Sequence, residues 1–224
     1  MTTSSVPVFS LLETRVLGVL IEKQKTVPDT YPMTMNSLVA GCNQKSSRDP
    51  VISVTEAEVQ SAIDQLRSLD YVVESSGGRV MRYSHNFGRA LKVPAESVSL
   101  LAMLMLRGPQ TAGELRLNCD RLQRFVDISS VEGFLNELSE RSSGALVVEL
   151  PRQPGNRENR WAHLLSGQID FDAIPSSKHT SGGDDAIASS EIAILKAKVA
   201  SLESEVTELR LAVTKICSEL GITL

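Results

Sequence analysis

Apolar positions along the first two-thirds of the chain fall into three helical stripes and two short alternating runs, and that series then repeats. Leu12, Val16, Leu17, Leu20 and Ile21 are spaced for a helix behind Ser10-Leu-Leu-Glu13, which has the hydroxyl-to-carboxylate spacing of a capping box. The first helix therefore starts at Ser10 and stops before a turn region at 28–32. A second, short helix from about Thr34 turns Met35, Leu38, Val39 and Cys42 inward and ends ahead of Pro50. Thr55-Glu-Ala-Glu58 is another capping box, and the helix behind it carries Val59, Ala62, Ile63, Leu66 and Leu69 on one face. Tyr71-Val-Val-Glu74, a Ser-Ser-Gly-Gly turn and Arg79-Val-Met-Arg-Tyr83 then read as a β-hairpin. Three helices and a hairpin in this order spell a winged helix.

The pattern recurs. Thr34, Leu38 and Cys42 are matched, at a constant offset of 77, by Thr111, Leu115 and Cys119. The second copy opens at Pro94 and closes its first helix at Gly108-Pro109. Its third helix, over about 130–141, has Val131, Phe134, Leu135 and Leu138 as core, and segments 145–150 and 160–165 form a longer hairpin around a Pro- and Gly-rich turn. Residues 166–190 have the Gly, Ser and Asp content of a linker. Beyond it, Ile192, Leu195, Val199, Leu202, Val206, Leu209, Val213, Ile216 and Leu220 alternate by three and four, the seam of a coiled coil. β-Branched residues at most a positions and Leu at most d positions favour a parallel dimer, and Glu191 with Lys196, Lys198 with Glu203, and Glu205 with Arg210 are attractive g-to-e′ pairs. The expected fold is mainly α with small β-hairpins (α+β): winged helices at 8–92 and 93–165, a flexible linker at 166–190 and a dimerisation helix at 191–221.

Composition narrows the functional classes. With 23 Lys and Arg against 27 Asp and Glu, a net charge of −4, no global positive field draws the chain to nucleic acid or anionic membrane, so polyanion binding must come from local patches. Three cysteines, Cys42, Cys119 and Cys217, are too scattered for a disulfide framework or a zinc cluster and fit a reducing compartment. The N-terminal residues lack a basic region followed by an apolar stretch, and the apolar run 98–106 is far short of the roughly 20 residues that span a bilayer. The expectation is a cytoplasmic protein.

Catalytic signals are weak. The sequence has no Gly-rich phosphate cradle, no His-Glu-x-x-His, no nucleophile elbow and no Cys-x-x-Cys, and His85, His163 and His179 lack metal-ligand spacing. No cofactor or metal is expected, and no enzyme. Cys42 and Cys119 occupy equivalent apolar-face positions, where small core residues sit. Trp161, on a strand, reads as a packing residue that has the alternative of stacking on a base.

The segments LGVLIEKQKTVPDTYPMTMNSLVAGCNQKSSRDPV, LMLRGPQTAGELR and LPRQPGNRENRWAHLL resemble the YceH-like family of bacterial proteins. The resemblance covers about residues 10–165 and continues into a C-terminal helix. It implies a tandem winged-helix fold, often labelled DNA-binding, in a family without an established biochemical function.

Duplex DNA and a protein partner are the two candidate ligands. A winged helix usually offers its third helix to the major groove, but here Glu56, Glu58 and Asp64 in the first copy and Glu132, Glu137 and Glu140 in the second would face a polyanion. The hairpins differ: Arg79 and Arg82, with Arg89 and Lys92, fall in a stretch without acidic residues, and Arg152, Arg157 and Arg160 are opposed only by Glu158. In the connector between second and third helices, Lys45 and Arg48 either complement a helix C-terminus or touch phosphate. The leading expectation is a DNA-binding regulator using Lys45, Arg48, Arg79, Arg82, Arg152, Arg157 and Arg160. The alternative is a protein-interaction adaptor that binds no nucleic acid.

Overall fold

The same capping device starts helices in both halves of the chain. In the computed structural model, which describes residues 6–76, 80–152 and 158–167, the side chains of Ser10, Thr55 and Thr111 accept from the backbone N–H three residues on, and Glu13, Glu58 and Glu114 reciprocate. Helices α1 (Leu11–Thr26), α2 (Met35–Cys42) and α3 (Glu56–Ser68) are followed by a hairpin of β2 (Val72–Ser76) and β3 (Met81–His85). After a short helix α4 (Phe87–Leu91), the series returns as α5 (Ala95–Arg107), α6 (Ala112–Cys119), α7 (Ile128–Ser139) and a hairpin of β4 (Val147–Glu149) and β5 (Trp161–His163). The described residues thus form a mixed α/β fold of seven α-helices and two small antiparallel sheets.

The offset of 77 is structural. Thr34 and Thr111 both cap their helices, and Leu38, Leu115, Cys42 and Cys119 are all fully buried. The register extends to an element with no sequence signal: a two-residue strand β1 (Met33–Thr34) joins the first sheet as Met33 pairs with Tyr83, and Gln110, 77 residues after Met33, forms a single bridge to Trp161. Gln110 is buried but satisfied. Its amide donates to the carbonyls of Met103 at 3.1 Å and Gly108 at 3.3 Å, and accepts from Asn118 at 2.7 Å.

The two halves share one core. Helix α1 packs on α5 so closely at Gly18 that a Cβ there would lie 2.8 Å from Leu106 Cγ. The long first connector, twelve residues at 43–54 against seven at 120–126, adds polar braces to this apolar contact. The Asp49 N–H donates to the Leu106 carbonyl (2.8 Å), Arg107 donates to Ser47 Oγ (2.8 Å), and at the other end Arg141 donates to the Leu91 carbonyl (2.6 Å). Buried arginines hold the connector itself. Arg15, on the inward face of α1, donates to the carbonyls of Cys42 and Pro50, while the Asn43 side chain closes the loop through both backbone groups of Val54.

Several expectations shift. Leu69, placed with the core of the third helix, is 36% exposed, and α7 begins at Ile128 behind an Asp127 cap, two residues before the expected start. Arg89 belongs to α4, a helix the basic stretch concealed. The linker from residue 168 onward and all nine seam residues, Ile192 to Leu220, lie outside the described residues.

Candidate functional site

The described members of the expected cationic set sit in different surroundings. Arg48 is the clear correction: its side chain is fully removed from solvent, with Nη2 2.6 Å from Glu22 Oε2, so its charge is neutralised and its head group is unavailable to phosphate. Glu22 reports the same pairing. Burial alone would raise its pKa, but the hydrogen bond and charge of Arg48, with help from Lys23, hold it below the usual value. Lys45 is exposed. Arg82, half-buried on β3, donates to the Pro32 carbonyl at 2.8 Å, which leaves its charge without a carboxylate partner in that bond. Arg160, also half-buried, is 4.0 Å from Glu114, while Arg152 is exposed beyond β4. Arg79 and Arg157 lie outside the described residues.

What the fold does assemble is acidic. Between α7, the N-terminus of α6 and the second hairpin lies a groove of about 380 Å³, lined by Glu132, Glu149, Glu158 and Arg152 together with Trp161. Large apolar side chains remain exposed on this half: Ile128, in the groove, is 43% exposed, Val126 85% and Leu117 73%. Arg116 donates to the Val126 carbonyl and so fixes the loop that carries it against α6.

The corresponding face of the first half is tied to its own hairpin. Gln60 donates to Asp64 (2.9 Å) and accepts from the Tyr83 hydroxyl (3.4 Å), and Arg67 bridges Asp64 (3.6 Å) and Glu74 on β2 (2.6 Å). In the second half α7 meets its hairpin through the backbone, the Leu146 N–H donating to the Leu138 carbonyl at 3.0 Å, and among the described residues no side-chain hydrogen bond joins the two. The two halves therefore repeat in fold and differ in their third-helix faces.

The thiols and imidazoles are core-like. Burial pushes the Cys42 and Cys119 thiols up to about 12, so neither is a thiolate near neutrality. His85 and His163 are pushed down to about 4, mainly by burial, with Lys25 adding to the effect at His85. Trp161 is buried, 7% exposed. Among the described residues no group of three or more His, Cys, Asp and Glu side chains gathers into a metal site, and no helix is long and apolar enough to cross a membrane.

Sequence reasoning missed the acidic groove because its carboxylates come from α7, β4 and the return of the hairpin. The shared signal was Glu158 within the otherwise basic hairpin segment. Residues 9–156 match a family described as a protein of unknown function, DUF480. The chain belongs to this family. It is 62% identical over 179 residues to a UPF0502 protein of Dechloromonas aromatica, covering 80% of this chain and 84% of that one. A UPF0502 protein of Leptothrix cholodnii is 54% identical over 213 residues, covering 95% and 96%, and one of Burkholderia orbicola is 53% identical over 211 residues, covering 94% and 89%. The YceH-like character of the sequence motifs agrees with this membership.

Proposed function

We propose that the protein is a non-enzymatic, cytoplasmic adaptor built from two winged helices, dimerised in parallel through residues 191–221, whose docking face is the acidic groove of the second half. The observation that carries this reading is the combination in that groove of three glutamates against one arginine with an exposed Ile128 at its edge. Such a surface complements a basic, partly apolar protein segment, whereas the same carboxylates repel a phosphate backbone. Position 133 offers a direct probe. Gly133 is exposed on α7, and a side chain there would meet nothing within 4 Å. A photo-crosslinking residue at 133 is expected to capture a partner that is lost when Glu132 and Glu149 are changed to Lys. Capture that is insensitive to both charges would overturn the assignment of the groove.

The second reading is DNA binding through the hairpins and connector. It draws support from Arg82, whose bond to a neutral carbonyl leaves its charge available, and from the exposed Lys45 and Arg152. Arg79, Arg157 and Arg160 belong to the same reading, with Arg48 excluded by its burial.

A further inference from the structure

A second cavity lies where the two halves meet. Its walls come from the last turns of α1, the end of β3, the start of α4 and the first turns of α5, and its volume is about 330 Å³, at the lower end of small-molecule sites. Charge sets it apart from the acidic groove: Lys25, Arg89, His85, Gln24 and Asn86 supply its polar wall, and no carboxylate lines it. Ile21, Val93 and Val98 supply an apolar wall opposite. We infer that this cleft binds a small organic anion, an oxyanion head group carried on a short apolar body, as an effector that couples the two halves.

The hydrogen bonds around His85 favour such a ligand. Its Nδ1 accepts from the Phe87 N–H at 3.4 Å, which leaves the proton on Nε2, and this N–H donates to Gln24 Oε1 at 2.8 Å. With its carbonyl oxygen used in this way, Gln24 keeps its amide N–H₂ as a donor beside Lys25. The imidazole stays neutral near pH 7, its pKa pushed down to about 4 by burial and by Lys25, so the cations that meet the ligand are Lys25 and Arg89. Helix α5 adds donors at the same wall. It starts behind Pro94, which gives its first backbone N–H groups no side-chain cap, and Ala95 lines the cleft. Glu96, in that first turn, does not line the cavity.

Position gives the cleft its regulatory character. Gly88 of α4 approaches α5 so closely that a Cβ would come within 2.9 Å of Val98 Cγ2, so any movement of α4 on α5 changes the cleft. A ligand touching Lys25 and Arg89 from the first half and the start of α5 from the second would stabilise one relative placement of the halves.

The test uses the full chain at low ionic strength, with phenyl phosphate, benzoate, inorganic phosphate and benzyl alcohol as probes. Thermal shift and calorimetry should show binding of phenyl phosphate, benzoate or both, weaker binding of inorganic phosphate and none of benzyl alcohol. The better of the two aromatic anions distinguishes a phosphate ester from a carboxylate as the natural head group. Lys25→Glu and Arg89→Glu, both at exposed positions, should each weaken binding by roughly 10-fold. Arg152→Glu, in the acidic groove, should leave it unchanged. In NMR spectra the His85 ring signals should move on titration in the wild-type protein. Equal responses to benzyl alcohol and benzoate, equal losses from Arg152→Glu and Arg89→Glu, or no binding of either aromatic anion would each overturn the inference. Because none of these readouts involves a macromolecular partner, the result is independent of the adaptor and DNA readings.

Discussion

Arg48 Nη2 lies 2.6 Å from Glu22 Oε2, and the two side chains are only 0% and 12% exposed. The pair anchors the connector 43–54 to α1, and the connector in turn braces α5 through Asp49 and Ser47. Removing one partner leaves the other charge buried and unpaired, so Arg48→Ala should destabilise the fold by about 3–5 kcal/mol in urea titrations. The double change Arg48→Met with Glu22→Leu should recover most of that loss, because it removes both desolvated charges. A single variant within about 0.5 kcal/mol of wild type would contradict the burial described.

Acid should weaken the protein in two steps. His85 and His163 have folded pKa values of about 4 against an ordinary 6.5, so the unfolded chain binds more protons between those limits. Their contribution is complete above pH 6.5 and is lost as pH falls toward 4, with a slope approaching 1.4 kcal/mol per pH unit for each fully titrating histidine. Glu22, held below its ordinary value of 4.5, adds a loss that begins near that value and continues as pH drops through its folded value. Stability curves from pH 7.5 to 3.5 should show the histidine slope, and His163→Phe should remove about half of it. His163 suits this test because its buried Nδ1 has no hydrogen-bond partner among the described residues.

Helix starts were legible in the sequence because capping boxes are local: Ser10 with Glu13 and Thr55 with Glu58 form where their spacing places them. The repeat was legible at Leu38 and Leu115 because both halves solve the same packing problem. Arg48 was misread for the opposite reason. Its partner is 26 residues away on α1, and a cation in a polar connector carries no local mark of burial. Strand β1 escaped notice since two residues have no periodicity, and the acidic groove depends on bringing Glu132, Glu149 and Glu158 together across three elements.

The shared core has a thermodynamic consequence. Leu38→Ala and Leu115→Ala remove fully buried side chains and should each cost about 2–5 kcal/mol. Because α1 and α5 pack together, either change should lower a single calorimetric transition for residues up to 167 instead of splitting it in two. Gly18→Ala, which drives a Cβ into Leu106 Cγ, should act at the joint itself and cost about 1–3 kcal/mol. Two separate transitions in the wild-type protein would contradict the common core.

The heptad seam from Ile192 to Leu220 leads us to expect a dimer of the full chain and a monomer when it ends after Ser166. Light scattering at matched concentrations measures both. A monomeric full chain removes the coiled coil from the proposal, and a dimeric truncated chain moves the main interface into the helical halves.

The charge distribution separates the adaptor from the DNA-binding reading. For an adaptor, Glu132→Lys with Glu149→Lys should abolish partner capture at position 133, while Arg79→Glu with Arg82→Glu should leave it intact. For DNA binding, the arginine changes, and separately Arg157→Glu with Arg160→Glu, should weaken mobility shifts on random and genomic duplexes alike. Each lost phosphate contact should flatten the log-log salt dependence by roughly 0.9. The same glutamate changes, together with Glu56→Gln, should then strengthen the shift, because each removes a carboxylate that a phosphate backbone must approach. The groove variant is therefore expected to move the two assays in opposite directions, and its sign is the deciding measurement. No shift at low salt with the wild-type dimer, combined with charge-dependent capture at 133, would leave the adaptor; a salt-dependent shift strengthened by Glu132→Lys would replace it with DNA binding.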